Sequence, residues 1–141
     1  MEGQATRLLL PPAVEEAMVA HGKREGLREA CGLLGGRKKG TLWLAEVYRE
    51  TMNLSPLLGR YRMDPLEVLR FSHSMETEGR AWLAIVHTHP QGPPLPSETD
   101  GAEAFYPDVL YVIVGFWPTI DIRAYQTDGV AWRRIPIQRG R

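Results

Sequence analysis

The chain has 141 residues, 17 acidic and 17 basic side chains, and a formal net charge of zero. That length suits one domain with a single core and no covalent staples, so residues 1–141 are read as one domain. Zero net charge argues against a nucleic-acid binder held mainly by a basic field, and the lone cysteine, Cys31, excludes an intrachain disulfide.

The N-terminus, MEGQATRLLLPP, lacks the features of a signal peptide. No apolar run approaches a membrane span. The chain is therefore expected to be cytoplasmic. Arginine far outnumbers lysine and asparagine occurs once, at Asn53. Heat adaptation and a GC-rich genome explain that bias equally well.

Thr6 to Leu10 reads as a short strand. Pro11 and Pro12 suit a helix start, where a missing N–H costs nothing. Val14, Ala17, Met18 and His21 then fall at helical spacing, and Gly26 is a natural stop. Ala30 to Gly36 is short and apolar, and Thr41 to Tyr48 alternates, so the two are expected to form a hairpin with RKKG as its turn. Residues 49–63 read as a loop. Asp64 and Pro65 are an N-cap and first-turn pair for a helix running to Gly79.

Ala81 to Val86 is a buried-strand pattern that ends at His87. Four prolines between Pro90 and Pro96 exclude regular structure there. Ser97 to Tyr106 reads as a short helix. DVLYVIVGF has the β-branched composition of a central strand. DIRAYQ and GVAWRRIPI alternate and complete a hairpin across Thr127 to Gly129. The sum is an α/β (α+β) domain with a mixed, curved sheet flanked by helices.

Residues 85–100, IVHTHPQGPPLPSETD, carry the strongest chemical signal. At i, i+2 on a strand, His87 and His89 share a face, and Asp100 falls in the first turn of the helix that follows. Two imidazoles and a carboxylate form a common zinc ligand set that leaves one tetrahedral position for water. Ser97 to Asp100 equally fits a helix capping box with Asp in place of the usual Glu. On spacing alone the structural reading leads, because an isolated His-x-His is a permissive motif.

His87-Thr88-His89-Pro90, six residues, Ser97, two residues and Asp100 resembles the signature of the JAMM (MPN+, Mov34/PAD-1) zinc metalloproteases. Upstream, Glu29 precedes Ala30-Cys31-Gly32-Leu33-Leu34-Gly35, which resembles the short stand-alone prokaryotic branch. Asn53, and Tyr61 through Pro65, look like further family positions. The resemblance implies a cytidine-deaminase-like JAMM/MPN architecture. It also implies one zinc ion per chain held by His87, His89 and Asp100, a zinc-bound water activated by Glu29 as general base, and Ser97 as donor to the oxyanion. Thr88 and Pro90 are expected to shape the loop.

By the same resemblance the activity expected is amide hydrolysis after the C-terminal Gly-Gly of a small ubiquitin-like sulfur carrier, as peptidase or isopeptidase. Homodimerisation is left open. The eukaryotic relatives' insertion segments have no long counterpart here. Two other readings come from the same family: a metal-free scaffold in a protein complex, and a DNA-repair-associated relative, which the zero net charge disfavours. On the residues themselves, Glu29 reads as an ordinary exposed carboxylate or as one aimed into a cleft. His21 and His73 read as packing or surface residues, and Cys31 as a small buried residue.

Overall fold

Apolar β-branched segments outnumber helical ones, and the fold follows from where those segments hide their two faces. The computed structural model describes residues 4–97 and 106–140. In chain order they form β1 (Arg7–Leu10), α1 (Pro12–Glu25), β2 (Cys31–Lys39), β3 (Leu42–Thr51), α2 (Pro65–Thr77), β4 (Ala81–His89), β5 (Leu110–Gly115), β6 (Asp121–Thr127), β7 (Trp132–Ile135) and β8 (Ile137–Arg139). Most of the expected helix at Ser97–Tyr106 lies outside the described residues.

The strands form an eight-stranded mixed sheet in the order β7-β6-β5-β4-β2-β3-β1-β8. β7 and β8 are consecutive, separated only by Pro136, yet stand at opposite ends of that order. The sheet must therefore curl until its two edges meet. One extended stretch pairs first with β6, through Ile135 opposite Ala124, and then with β1, through Ile137 opposite Leu8. Pro136 has no N–H to offer, but its carbonyl accepts from Leu8 N at 3.0 Å. GVAWRRIPI is thus two strands rather than one, because proline interrupts the ladder where the stretch changes partners.

Each face of the curled sheet carries a helix. On one face, α1 contributes Val14 and Met18 to a core with Leu8, Leu10, Trp43 and Val112. On the other, α2 contributes Val68, Phe71 and Met75 to a core with Leu33, Ile85 and Tyr111. Burying a side chain such as Phe71 contributes about 1.5–3 kcal/mol. Asp64 caps α2 as expected, its side chain accepting from Leu66 N at 2.9 Å. Its core face is set by Val68, Phe71 and Met75, while Leu66 and Leu69 point outward.

Strands run further than the sequence suggests. RKKG is not the hairpin turn: β2 continues to Lys39, and Gly40 and Thr41 make the turn, with Gly40 at φ +63°. Arg37 and Lys38 stay in the ladder because both find cross-strand partners. Lys38 Nζ sits 4.2 Å from the centre of the Trp43 ring, and Arg37 pairs with Glu46 at 3.3 Å. β3 reaches Thr51, whose hydroxyl donates to the Cys31 carbonyl at 2.9 Å. β4 runs on through His89, so both histidines lie inside the strand.

His21, read from the sequence as a packing or surface residue, is buried between α1 and β3. Its Nδ1 is 2.7 Å from the Tyr48 hydroxyl, and Glu50, which pairs with Arg24, lies beyond. His73 is exposed. Burial lowers the His21 pKa below its ordinary 6.5, against the opposing pull of Glu50 and Glu25 and with a smaller push from Arg24. The native state therefore binds this proton less readily than the unfolded chain. Its contribution to stability is complete above pH 6.5 and is lost as pH falls through the native pKa. In urea unfolding, the stability advantage of the wild type over His21→Gln is expected to shrink between pH 8 and pH 5. A constant difference would exclude the histidine as the source.

Candidate active site

The site is assembled where β2 and β4 pair antiparallel. Cys31 stands opposite His87, which brings the residues just before β2 alongside the end of β4. Thr88 fastens this junction. Its Oγ1 accepts from Ala30 N at 2.9 Å, and its own N–H donates to the Ala30 carbonyl at 3.0 Å. Glu29, the residue before Ala30, is thereby held beside the histidine strand. It is only 5% exposed, which rules out the ordinary-surface reading.

Glu29 and His89 line one cavity of about 240 Å³, together with Leu27, Leu58, Gly59 and the turn at Pro90–Gly92. Leu27 and Leu58 stand exposed at its rim. A larger, mostly apolar cavity of about 440 Å³ lies alongside Tyr61, Met63, Ile85 and Tyr106.

The two histidines converge. His87 Nε2 and His89 Nε2 are 3.2 Å apart, the same-face geometry expected for i, i+2 on a strand. His87 is fully buried, and its ring stacks on Tyr61 with centroids 4.5 Å apart and planes 18° from parallel. His89 Nδ1 lies 2.9 Å from the Pro93 carbonyl.

A metal's fit can be tested on these atoms. Two nitrogens bound about 2.0–2.1 Å from one tetrahedral zinc stand about 3.3 Å apart. The observed separation is close to that edge, so the pair fits a zinc ion. Among the described residues no group of three or more His, Cys, Asp or Glu side chains forms a metal cluster. Asp100, the expected third ligand, lies outside the described residues. Ser97 is exposed at the far end of the proline-rich loop. Cys31 is fully buried as expected, and burial pushes its thiol up to about 11, so it stays protonated at neutral pH.

Asn53 organises the loop that follows β3. Its Nδ2 donates to the Glu29 carbonyl at 2.9 Å and to the Arg60 carbonyl at 3.0 Å. Its Oδ1 accepts from Ser55 N at 2.9 Å and from Arg62 N at 3.0 Å. Arg28 adds bonds to the carbonyls of Asn53 and Ser55. The loop that carries Leu58 and Gly59 is thus tied to the residue that carries the carboxylate. Residue-by-residue reading assigned no roles to Tyr61, Pro93, Gly115 or Tyr125. Only Tyr61 had a signal, as a position of the resembled family.

The curled sheet thus carries two converging imidazoles and, lining the same cavity as His89, a buried carboxylate. The chain matches the family of prokaryotic homologs of the JAB domain over residues 11–134. A probable TtuB-protein conjugate cleaving protease of Thermus thermophilus is 39% identical over 122 residues, 84% of this chain and 74% of that protein. The desampylase of Haloferax volcanii is 26% identical over 138 residues, 94% of this chain and 96% of that protein. A CysO-cysteine peptidase of Mycobacterium tuberculosis is 32% identical over 113 residues, 80% of this chain and 76% of that protein. The solution structure of a protein from Desulfitobacterium hafniense superposes with a TM-score of 0.83 at 29% identity, covering 94% of this chain and 92% of that one. The chain belongs to the prokaryotic JAB-domain family, and it is a hydrolase of the protease class. No helix among the described residues is long and apolar enough to cross a membrane.

Removing the Asn53 side chain leaves several buried backbone groups without their partner. Asn53→Ala is expected to lower the unfolding free energy by about 2–4 kcal/mol, at roughly 1 kcal/mol for each bond lost. Amide exchange at Ser55 and Arg62 should accelerate, since both N–H groups donate to Oδ1. Unchanged exchange at those two amides would show that the loop is held by other contacts.

Proposed function

We propose that this chain is a zinc-dependent peptidase or isopeptidase that hydrolyses the amide bond after the C-terminal Gly-Gly of a small ubiquitin-like protein. The observation that carries the reading is the convergence of His87 and His89 at 3.2 Å, with Glu29 lining the same cavity as His89. His87 and His89 would hold the metal, with Asp100 as the third ligand. Bound there, zinc supplies a Lewis acid that polarises a carbonyl and acidifies water.

The chain's own residues do the rest. Glu29 accepts the proton of the attacking water and returns it to the leaving amine. Its burial beside the β2–β4 junction fixes the carboxylate's position. Ser97 donates its hydroxyl to the oxyanion that develops at the scissile carbonyl. The same hydroxyl can accept from a backbone N–H, so capping and catalysis are compatible. Leu27 and Leu58 both line the cavity and are exposed to solvent, so bulk added there would crowd an entering chain. Residues without side chains enter such a cavity most easily, which suits a Gly-Gly end.

The substrate class draws support from three relatives, named for cleaving a protein conjugate, for desampylation and for removing cysteine from CysO. Purified protein loaded with zinc is expected to cleave a Gly-Gly-extended ubiquitin-like substrate, read by mass spectrometry. Glu29→Gln should lower the rate at least 100-fold, the usual scale for loss of a general base, while retaining one equivalent of zinc. Full activity in that variant would remove Glu29 from the mechanism. A wild type holding less than about half an equivalent of zinc would favour the non-catalytic scaffold.

A further inference from the structure

We infer that Gly115 and Tyr125, on strands β5 and β6, are positioning residues for His89. They act through the proline-rich loop to fix which ring nitrogen of His89 carries the proton. This inference rests on the zinc reading above only for its effect on metal affinity.

Gly115 is the register partner of His89 across β4 and β5. The loop after His89 folds back onto that spot. A Cβ added at Gly115 would meet Pro94 N at 2.5 Å and the Pro93 carbonyl carbon at 2.7 Å. Both are backbone atoms, so the loop can seat at this depth only because position 115 has no side chain. Tyr125 holds it from the next strand, its buried hydroxyl donating to the Pro94 carbonyl at 2.8 Å. Phe116 N and Trp117 N donate to the Gly92 carbonyl at 3.1 and 3.3 Å, anchoring the other arm of the turn.

Seated there, the Pro93 carbonyl faces His89 Nδ1 at 2.9 Å. The same oxygen accepts from Leu95 N at 2.9 Å, and a carbonyl has two lone pairs for the two donors. A carbonyl can only accept, so His89 Nδ1 must carry its proton to make this bond. In the neutral ring the lone pair then lies on Nε2, the nitrogen that faces His87. The arrangement selects the tautomer a metal ligand needs and holds the ring plane. The contacts that Tyr125 and Gly115 make here are with the Pro93–Pro94 backbone. Their influence passes through two proline peptide units.

The test uses the full-length protein and two variants. Tyr125→Phe removes only the hydroxyl and keeps the ring against Trp132. Gly115→Ala lifts the loop. In metal-free protein, nitrogen–proton correlation spectra of the histidine side chains should show His89 protonated on Nδ1 in the wild type. In both variants that preference should weaken. Zinc affinity, from competition with a chromophoric chelator, should fall about 10–100-fold in step, the range for loss of an outer support.

Variants with wild-type spectra and wild-type affinity would overturn the inference. So would weakened zinc binding with an unchanged His89 spectrum, because the effect would then bypass His89. A changed spectrum with unchanged affinity would confirm the positioning of His89 and overturn its effect on metal binding. A wild type that binds no zinc would sink the zinc reading instead, and the His89 spectra of the three proteins would still decide the positioning role alone.

Discussion

The antiparallel pairing of β2 with β4 is the constraint on which the site depends. It sets Cys31 opposite His87 and so places Glu29 next to a histidine more than fifty residues away in sequence. Nothing in the local preference of either segment produces that proximity. It exists because both strands are apolar on both faces and must be covered by helices on each side. Thr88 then converts strand pairing into a fixed junction, with a side-chain and a main-chain bond to the one residue between Glu29 and the strand. The carboxylate is held by backbone geometry as well as by its own contacts.

Around that junction the supports come from three directions. Tyr61 lies flat against the His87 ring, Asn53 ties the loop after β3 to the Glu29 carbonyl, and the proline-rich turn, held by β5 and β6, reaches His89. Each support uses a group whose geometry is stiff: an aromatic plane, a fully bonded amide, a chain rich in proline. Such stiffness is what a reactive constellation needs, since small displacements of its members cost heavily in rate. Leu27 and Leu58, which line the same cavity as Glu29 and His89, are left exposed to solvent.

Much of this was legible from the sequence where the rule is local. The period-2 spacing of His87 and His89 predicted a shared face, and the strand delivers it. Asp64-Pro65 predicted the start of α2, and its cap is present. The cleft alternative for Glu29 was open from its place before an apolar strand, and burial decides it. What stayed hidden is long-range. RKKG looked like a turn because charge and glycine are turn signals, yet Trp43 and Glu46 across the hairpin hold those charges in the ladder. Tyr125 lies 31 residues from the carbonyl it holds, and no periodicity connects them. Asp100 was legible only as spacing.

The closure of the sheet around Pro136 has a kinetic consequence. β1 and β8 join the two extremes of the described chain, with Leu8 opposite Ile137. A contact between such distant positions carries the largest loop-closure cost in the molecule until the intervening strands have ordered. Local hairpins such as β2–β3 form across a two-residue turn and carry almost none. Contact order thus predicts that the hairpins form early and that the pairing of β1 with β8 forms late. Until that pairing forms, β1 offers an unpaired edge to any strand that meets it. The last few described residues thus cover an edge that β1 would otherwise expose, although they stand apart from the chemistry of the site.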